Sequence, residues 1–265
     1  MNRYLILGDS HLVALLDAAR ELGTARQVPS EDGLFSVHEF VLEAQQAHLV
    51  FVMPLAGAPS LVMKYDREGF SMSPAYAAQL RAALALLGAG PVTICSVFFG
   101  NEHSAFSIAD HPVPFDFLRT PDDAPCPAPV PRQIVPLAVI ERKMADLAWR
   151  PEVYCRVLKL AFAGQRVLHI LPPPPIEDEA QVKGDPEIFG PLFERYPVAP
   201  ALLRLKVYSV YCRVVEERLR AVGVDIIGAP AAACDNGYLA RPYWREATHA
   251  NGPYGTLILQ ALGVL

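Results

Sequence analysis

The first residues of the chain constrain its fold more than any other stretch. An apolar run, Tyr4-Leu5-Ile6-Leu7, ends abruptly at Gly8-Asp9-Ser10 and is followed by a helical pattern. This order is typical of a buried β-strand, a tight turn and the start of a helix. The turn places the Ser10 hydroxyl at the carboxyl edge of a sheet and among the unpaired N–H donors of a helix, which suits a nucleophile. The alternative is that Asp9 or Ser10 only caps the helix.

The rest of the chain alternates between buried strands and helices. Apolar residues recur at the spacing of a helix from Leu12 to Leu22, and Gly23 marks the end of this helix. Strands are predicted at residues 33–42, 48–53, 92–97, 167–171 and 224–228, and further helices at 73–87, 136–163 with a break near Pro151, 201–222 and 252–262. This alternation predicts an α/β fold with a mainly parallel sheet, in which ligands gather at the carboxyl ends of the strands. The 265 residues are expected to form a single domain, residues 1–265.

Two irregular, proline-rich insertions interrupt the alternation, at about residues 104–136 and 172–200. Each is longer than a connection in a compact domain normally is. We expect the first to be an ordered wall or lid over a pocket, since loops on a rigid scaffold carry specificity. Residues 54–73 are expected to be a loop.

Composition excludes several classes of protein. A net charge of −5 without a block of Lys or Arg argues against a nucleic-acid partner. No apolar run reaches membrane-spanning length and no signal peptide is recognisable, so a cytoplasmic protein is expected, unless a leader was removed. The five cysteines are scattered without CxxC spacing, and neither a metal nor a cofactor is indicated.

Four polar positions follow strands or precede the last helix: Ser10, Gly57, Asn101 and His249. The chemistry that they can share is acyl transfer. A serine nucleophile needs a base to take its proton, and His249 is a candidate with Glu246 three residues earlier. The oxyanion of a tetrahedral intermediate needs hydrogen-bond donors, for which the N–H groups of Ser10 and Gly57 and the amide of Asn101 are candidates.

These blocks, in this order along the whole chain, resemble the SGNH, or GDSL-like, hydrolase superfamily. The resemblance rests on Gly8-Asp9-Ser10, Gly57, Gly100-Asn101 and the carboxylate-x-x-His249 pattern. It implies a three-layer α/β/α, flavodoxin-like fold. It also implies Ser10 as nucleophile, His249 as base, Glu246 as its orienting carboxylate, and Ser10, Gly57 and Asn101 as oxyanion donors.

The resemblance implies a serine esterase or deacylase that acts through an acyl-enzyme on an ester of a small or carbohydrate-borne acyl group. An O-acyltransferase with the same site and a noncatalytic binding module remain alternatives. A nucleotide-binding protein is disfavoured, because this sequence lacks a phosphate-binding loop. Asp235 or a backbone carbonyl are alternatives to Glu246, which stands where the family usually has aspartate. His11 and His103 are candidate substrate contacts. The sequence does not indicate an oligomeric state.

Overall fold

The apolar runs form a seven-stranded sheet at the centre of the molecule. The structure is a computed structural model that describes residues 1–30, 32–55, 59–66, 69–127, 131–184 and 189–265. The described strands are β1 (Asn2–Leu7), β2 (Arg26–Val28), β3 (Phe35–Leu42), β4 (Ala47–Pro54), β5 (Met63–Asp66), β6 (Gly69–Met72), β7 (Thr93–Ser96), β8 (Phe115–Asp116), β9 (Gln133–Ile134), β10 (Arg166–Ile170), β11 (Asp225–Ile227), β12 (Cys234–Asp235) and β13 (Tyr238–Leu239).

Helices connect these strands and cover the central sheet. The described α-helices are α1 (Leu12–Leu22), α2 (Pro59–Val62), α3 (Pro74–Leu87), α4 (Glu102–Ser107), α5 (Leu137–Ala161), α6 (Glu179–Lys183), α7 (Gly190–Phe193), α8 (Ala201–Ala221) and α9 (Gly252–Ala261). In the described part of the chain, none of them is apolar over a length that crosses a membrane.

The order of strands in the central sheet is β11-β10-β7-β1-β4-β3-β2. The five strands from β11 to β4 are parallel to one another. At the edge beyond β4, β3 runs antiparallel to β4, and β2 runs antiparallel to β3. In the sheet β1 has β4 as its neighbour on one side and β7, which comes later in the chain, on the other side. The carboxyl ends of β1 and β7 therefore flank a switch point in strand order, where α/β proteins bind ligands.

Helices lie on both faces of the sheet because each face carries its own apolar cluster. Helices α1 and α9 pack on one face with Leu12, Leu15 and Ile258 in the cluster. Helices α3, α5 and α8 pack on the other face with Leu80 and Leu158 in the cluster. The predicted three-layer α/β/α fold with a mainly parallel sheet is confirmed.

One close contact fixes α9 against α1. A side-chain β-carbon on Gly255 of α9 would lie 2.0 Å from the backbone oxygen of Ala14 in α1. Only glycine allows the two helix backbones to approach this closely. Helix α1 follows Ser10 and α9 follows His249, so this contact sets the distance between two separate parts of the chain.

The structure differs from the sequence prediction in two connecting regions. Residues 54–73, expected to be a loop, contain α2 and the antiparallel hairpin of β5 and β6. Helix α5 continues through Pro151 rather than breaking there. Packing of the buried α5 face on the sheet outweighs the hydrogen bond that a helical proline removes.

The first proline-rich insertion is anchored to α8 by a buried ion pair. Lys206 and Asp116 have 0% and 1% of their side chains exposed, and Lys206 Nζ lies 3.1 Å from Asp116 Oδ1. Lys206 also donates to the backbone oxygens of Phe117 and Ala124. The insertion includes α4 and buries Phe117 in the apolar cluster, so it is an integral part of the domain rather than a removable lid.

Both edges of the central sheet end in short strands. At one edge β2 has three residues, and its Arg26 pairs with Glu39 of β3. At the other edge β11 also has three residues, and its Asp225 lies 2.7 Å from Arg166 of β10.

Candidate active site

The turn after β1 presents Ser10 at the surface. A β-carbon on Gly8 would lie 3.1 Å from Cβ of both Leu12 and Val97, so a larger residue would crowd the turn. Burial of Asp9 in this turn raises the pKa of its carboxyl above the ordinary value, partly opposed by nearby backbone N–H groups.

His249 is held in a closed loop before α9. The backbone N–H of Arg245 donates to the carbonyl of His249 over 3.1 Å, and the backbone N–H of Asn251 donates to Tyr243 over 3.0 Å. The Asn251 side chain caps α9 by accepting from the N–H of Tyr254 at 3.3 Å. This loop and cap fix the His249 ring in a buried position.

Ser10, His249 and Glu246 lie in a continuous row. The distance from Ser10 Oγ to His249 Nε2 is 2.8 Å, and His249 Nδ1 lies 2.8 Å from Glu246 Oε2. The latter contact lies off the direction of the ring N–H, so it is not an aligned hydrogen bond, and it becomes an ion pair when His249 is protonated. Because a carboxylate only accepts, it favours the tautomer with a proton on Nδ1, which leaves Nε2 free to accept the Ser10 proton.

Glu246, the carboxylate expected to orient His249, is half exposed. Its side chain is 43% exposed and also lies 3.2 Å from Arg245. Asp235, the alternative carboxylate, is exposed on β12 and has no contact with His249 among the described residues. The structure therefore places Glu246, and not Asp235, beside the His249 ring.

Asn101 lies at the same ring nitrogen. Its Nδ2 is 3.3 Å from His249 Nε2. Asn101 occupies the N-cap position of α4, yet its side chain makes no cap hydrogen bond and turns to the cleft instead. Phe99, two residues before Asn101, has a φ of 65°, a left-handed conformation that is uncommon outside glycine. This conformation turns the chain so that Gly100 and Asn101 line the cleft at Ser10.

One further donor comes from the Ser10 backbone. In the described part of the chain, the N–H of Ser10 has no protein acceptor, so it remains available to an oxyanion. Gly57, the third expected donor, lies outside the described residues. The described donors are thus Ser10 N–H and Asn101 Nδ2.

His11 packs directly against His249. The two ring centroids are 4.8 Å apart. A β-carbon on Gly100 would lie 2.6 Å from the His11 ring, so the glycine makes room for it. Burial, together with the neighbouring His249, lowers the pKa of His11 to about 3. His11 is therefore neutral, and it does not repel the positive charge that His249 acquires when it takes a proton.

His103 is placed differently from the expectation of a substrate contact. It is buried and stacked on Tyr211 with a centroid distance of 5.2 Å, and it does not line the cleft at Ser10. Burial lowers the pKa of His103 to about 4, and likewise that of His169 in β10 to about 4. We call His11, His103 and His169 the buried histidines.

The cleft at Ser10 has a volume of about 260 Å³ and is open to solvent. Glu102 and Arg150 line its rim, 3.9 Å apart. Burial raises the pKa of Glu102 to about 7, partly opposed by Arg150. Sequence analysis missed Arg150 because Pro151 beside it indicates a helix end, whereas the helix continues and presents Arg150 to the cleft.

Chemically, this arrangement unites a hydroxyl, a base and two N–H donors. A general base at 2.8 Å is within reach of the proton that it must abstract. Within the described residues, no cluster of three or more His, Cys, Asp or Glu side chains is arranged to hold a metal ion. The site has the groups that acyl transfer through a serine requires.

Comparison of the sequence with known family models and with characterised proteins gives no match. Among solved structures, the periplasmic domain of a lipopolysaccharide acetyltransferase from Salmonella ser. Paratyphi A is similar, with 10% identity, a TM-score of 0.47, and coverage of 99% of this chain and 83% of that one. A GDSL-like lipase from Bacteroides thetaiotaomicron has 11% identity, a TM-score of 0.44, and coverage of 98% and 85%.

A carbohydrate acetylesterase from Sinorhizobium meliloti has 12% identity and a TM-score of 0.39, with coverage of 99% of this chain and 97% of that one. These likenesses are too distant to bear on chemistry, which follows from this chain's own residues.

Proposed function

We propose that this chain is a serine hydrolase or acyltransferase of the SGNH superfamily that forms an acyl-enzyme on Ser10. The observation that carries the proposal is the 2.8 Å contact between Ser10 Oγ and His249 Nε2, with the Asn101 amide at the same nitrogen. A serine that only caps a helix needs no such partner.

The first half of the reaction transfers the acyl group to the enzyme. His249 Nε2 takes the proton of Ser10 as Oγ attacks the carbonyl carbon of an ester. The tetrahedral oxyanion accepts hydrogen bonds from Ser10 N–H and Asn101 Nδ2. When the intermediate collapses, the C–O bond to the alcohol breaks, and His249 returns the proton to the leaving oxygen.

The second half releases the acyl group. His249 removes a proton from water, or from an acceptor hydroxyl in a transferase, as that oxygen attacks the acyl-enzyme. Collapse of this second intermediate breaks the bond to Ser10 Oγ and returns the proton to it. Glu246 stabilises the positive charge on His249 in both halves of the reaction. The neutral His11 ring does not repel that charge.

The proposal is tested with a fluorescent phosphonate that labels active serines and with 4-nitrophenyl acetate as substrate. Wild-type protein should be labelled and should hydrolyse the ester, whereas Ser10→Ala and His249→Ala should lose both. The double variant should be no slower than either single variant, since nucleophile and base act as one unit. Folded wild-type protein that is neither labelled nor active on esters would contradict the proposal.

Ser104 provides a matched control. It also lies against a histidine ring, with Oγ 3.3 Å from His103 Nε2, but away from the Asn101 amide. Ser104→Ala should keep both labelling and turnover. Asn101→Ala should lower kcat by roughly a hundredfold with little change in KM, as expected for one oxyanion donor. A change in KM alone would assign Asn101 to substrate binding.

A further inference from the structure

A second cleft adjoins the one that contains Ser10. It has a volume of about 180 Å³ and is open to solvent. Its apolar lining comes from the β5–β6 hairpin, from the residue before Gly100 and from α5. We call it the apolar cleft. These residues are Met63, Tyr65, Phe70, Phe99, Trp149 and Val153.

The rings at the mouth of the apolar cleft form an exposed row. Tyr65 and Phe70 have centroids 4.7 Å apart, and Phe70 and Trp149 have centroids 5.4 Å apart. Their exposed fractions are 74%, 41% and 40%. Large aromatic groups of this exposure, side by side, mark a binding surface more often than isolated ones do.

The apolar cleft borders the Ser10 cleft. Phe99 and Arg150 line both of them. Phe99 directly precedes Gly100 and Asn101, so the floor of the apolar cleft leads to the described oxyanion donors. An apolar group attached to the reacting carbonyl carbon can therefore enter this cleft without leaving the Ser10 cleft.

The position of His249 decides which end of the ester lies there. The alcohol must depart beside His249 Nε2, which protonates it. None of the described residues 244–251, which form the His249 loop, lines either cleft. The alcohol thus leaves on the side of that loop, and the acyl chain extends towards Phe99.

We propose that the apolar cleft binds the acyl chain of the substrate, and that this protein prefers esters of unbranched aliphatic acids longer than acetate. This inference rests on the proposed function, because it assigns the acyl side of the same site. It makes Phe70 and Trp149 determinants of acyl specificity. It extends the expectation of a small acyl group to a larger one.

The kinetic test uses 4-nitrophenyl esters from acetate to octanoate, which share one leaving group. We expect kcat/KM to rise about fourfold for each added methylene that enters the cleft. Phe70→Ala and Trp149→Ala should each lower the ratio of octanoate to acetate activity by about tenfold. Leu160→Ala is the matched control, because Leu160 is an exposed apolar residue on the same helix outside the cleft.

Equal ratios for the wild type and both aromatic variants would overturn the assignment of the apolar cleft. So would a kcat/KM that does not change or falls with chain length while acetate is still hydrolysed through Ser10. Either result would leave the proposed function intact, since that depends on acetate turnover and labelling of Ser10.

A binding measurement separates the two proposals. Sodium octanoate is titrated into the Ser10→Ala variant, and a saturable change in tryptophan emission is expected that disappears in Ser10→Ala/Trp149→Phe. Such binding in a protein whose folded wild type is neither labelled by the phosphonate nor active on esters would refute the proposed function and support the apolar cleft. Absence of saturable binding would overturn the apolar cleft even in an active esterase.

Discussion

The contact between α1 and α9 predicts that Gly255→Ala lowers both the stability and the catalytic rate of the protein, although Gly255 lies outside the Ser10 cleft. The added methyl group would lie 2.0 Å from Ala14 O, 2.5 Å from Ala14 C and 2.9 Å from Leu15 N. All three are backbone atoms, which cannot rotate away as the end of a side chain can. Helix α9 must therefore retreat from α1 by about 1 Å before the contact becomes tolerable.

Two effects on stability oppose each other in this variant. Overpacking of a close contact costs up to about 3 kcal/mol, and replacement of a helical glycine by alanine returns about 1 kcal/mol. We expect a net loss of about 2 kcal/mol in the free energy of unfolding, measured by urea denaturation. The slope with urea should not change, because the fold is retained.

The same shift should affect catalysis more than stability. His249 lies three residues before α9, and its Nε2 is 2.8 Å from Ser10 Oγ. A displacement of about 1 Å at a reacting group can cost about a hundredfold in rate. We expect kcat for 4-nitrophenyl acetate and the rate of phosphonate labelling to fall together by about that factor.

Gly252→Ala is the control within the same helix. Its added methyl group would lie 3.5 Å from Asp17 Cβ, an ordinary contact, so stability and rates should match those of the wild type. If Gly255→Ala behaves like Gly252→Ala in both assays, the helix contact does not position His249. A loss of stability with unchanged kcat would equally refute the link between the helices and the site.

Three further predictions concern ionisable groups that are buried or half-buried. Lys206→Met should lower the free energy of unfolding by about 3–5 kcal/mol in urea denaturation, because it leaves the Asp116 carboxylate without its cation; a loss under 1 kcal/mol would contradict this. The buried histidines have pKa values of about 3 to 4, below the ordinary 6.5, so the unfolded state binds protons that the folded state does not. Stability should therefore fall as the pH drops from about 6.5 towards 4, by up to about 1.4 kcal/mol per pH unit for each histidine. The raised pKa of Glu102 opposes this slope by up to the same amount as one histidine, so the net slope should remain positive, and a denaturation series without it would refute the neutrality of the three rings. Glu246→Gln should lower kcat/KM only about tenfold, because water screens this half-exposed carboxylate, and Asp235→Asn should have no effect; the reverse ranking in ester kinetics would reassign the orienting group.

Much of the fold could be predicted because local sequence and tertiary packing agree. The apolar run before Gly8 forms β1, and the Ser73-Pro74 signal starts α3 with Ser73 Oγ accepting from Tyr76 N–H at 3.2 Å. Pro151 shows the limit of local rules. The rule that proline ends a helix fails there because the residue lies on a helix that packs against both the sheet and α8.

The polar groups of the site could be predicted better than its apolar wall. Ser10, Asn101 and His249 follow or precede regular elements, so the order of strands brings them together. The apolar cleft needs a hairpin in residues 63–72 and an uninterrupted α5, and neither has a clear local signal. The burial of His103 could not be predicted from the sequence either, because it depends on stacking against Tyr211 from α8.

The two edges of the central sheet bear on how this protein behaves when it is crowded with copies of itself. An exposed edge strand presents unpaired N–H and C=O groups that can recruit a strand from another molecule. Here the described sheet ends in strands of only three residues, β2 and β11. An incoming strand would find few backbone groups to pair with, and it would meet Arg26 on one side and Asp225 on the other, each already engaged with its neighbour. Growth of the sheet by edge-to-edge addition is therefore disfavoured at both ends, and the long apolar strands β1 and β4 stay enclosed at its centre.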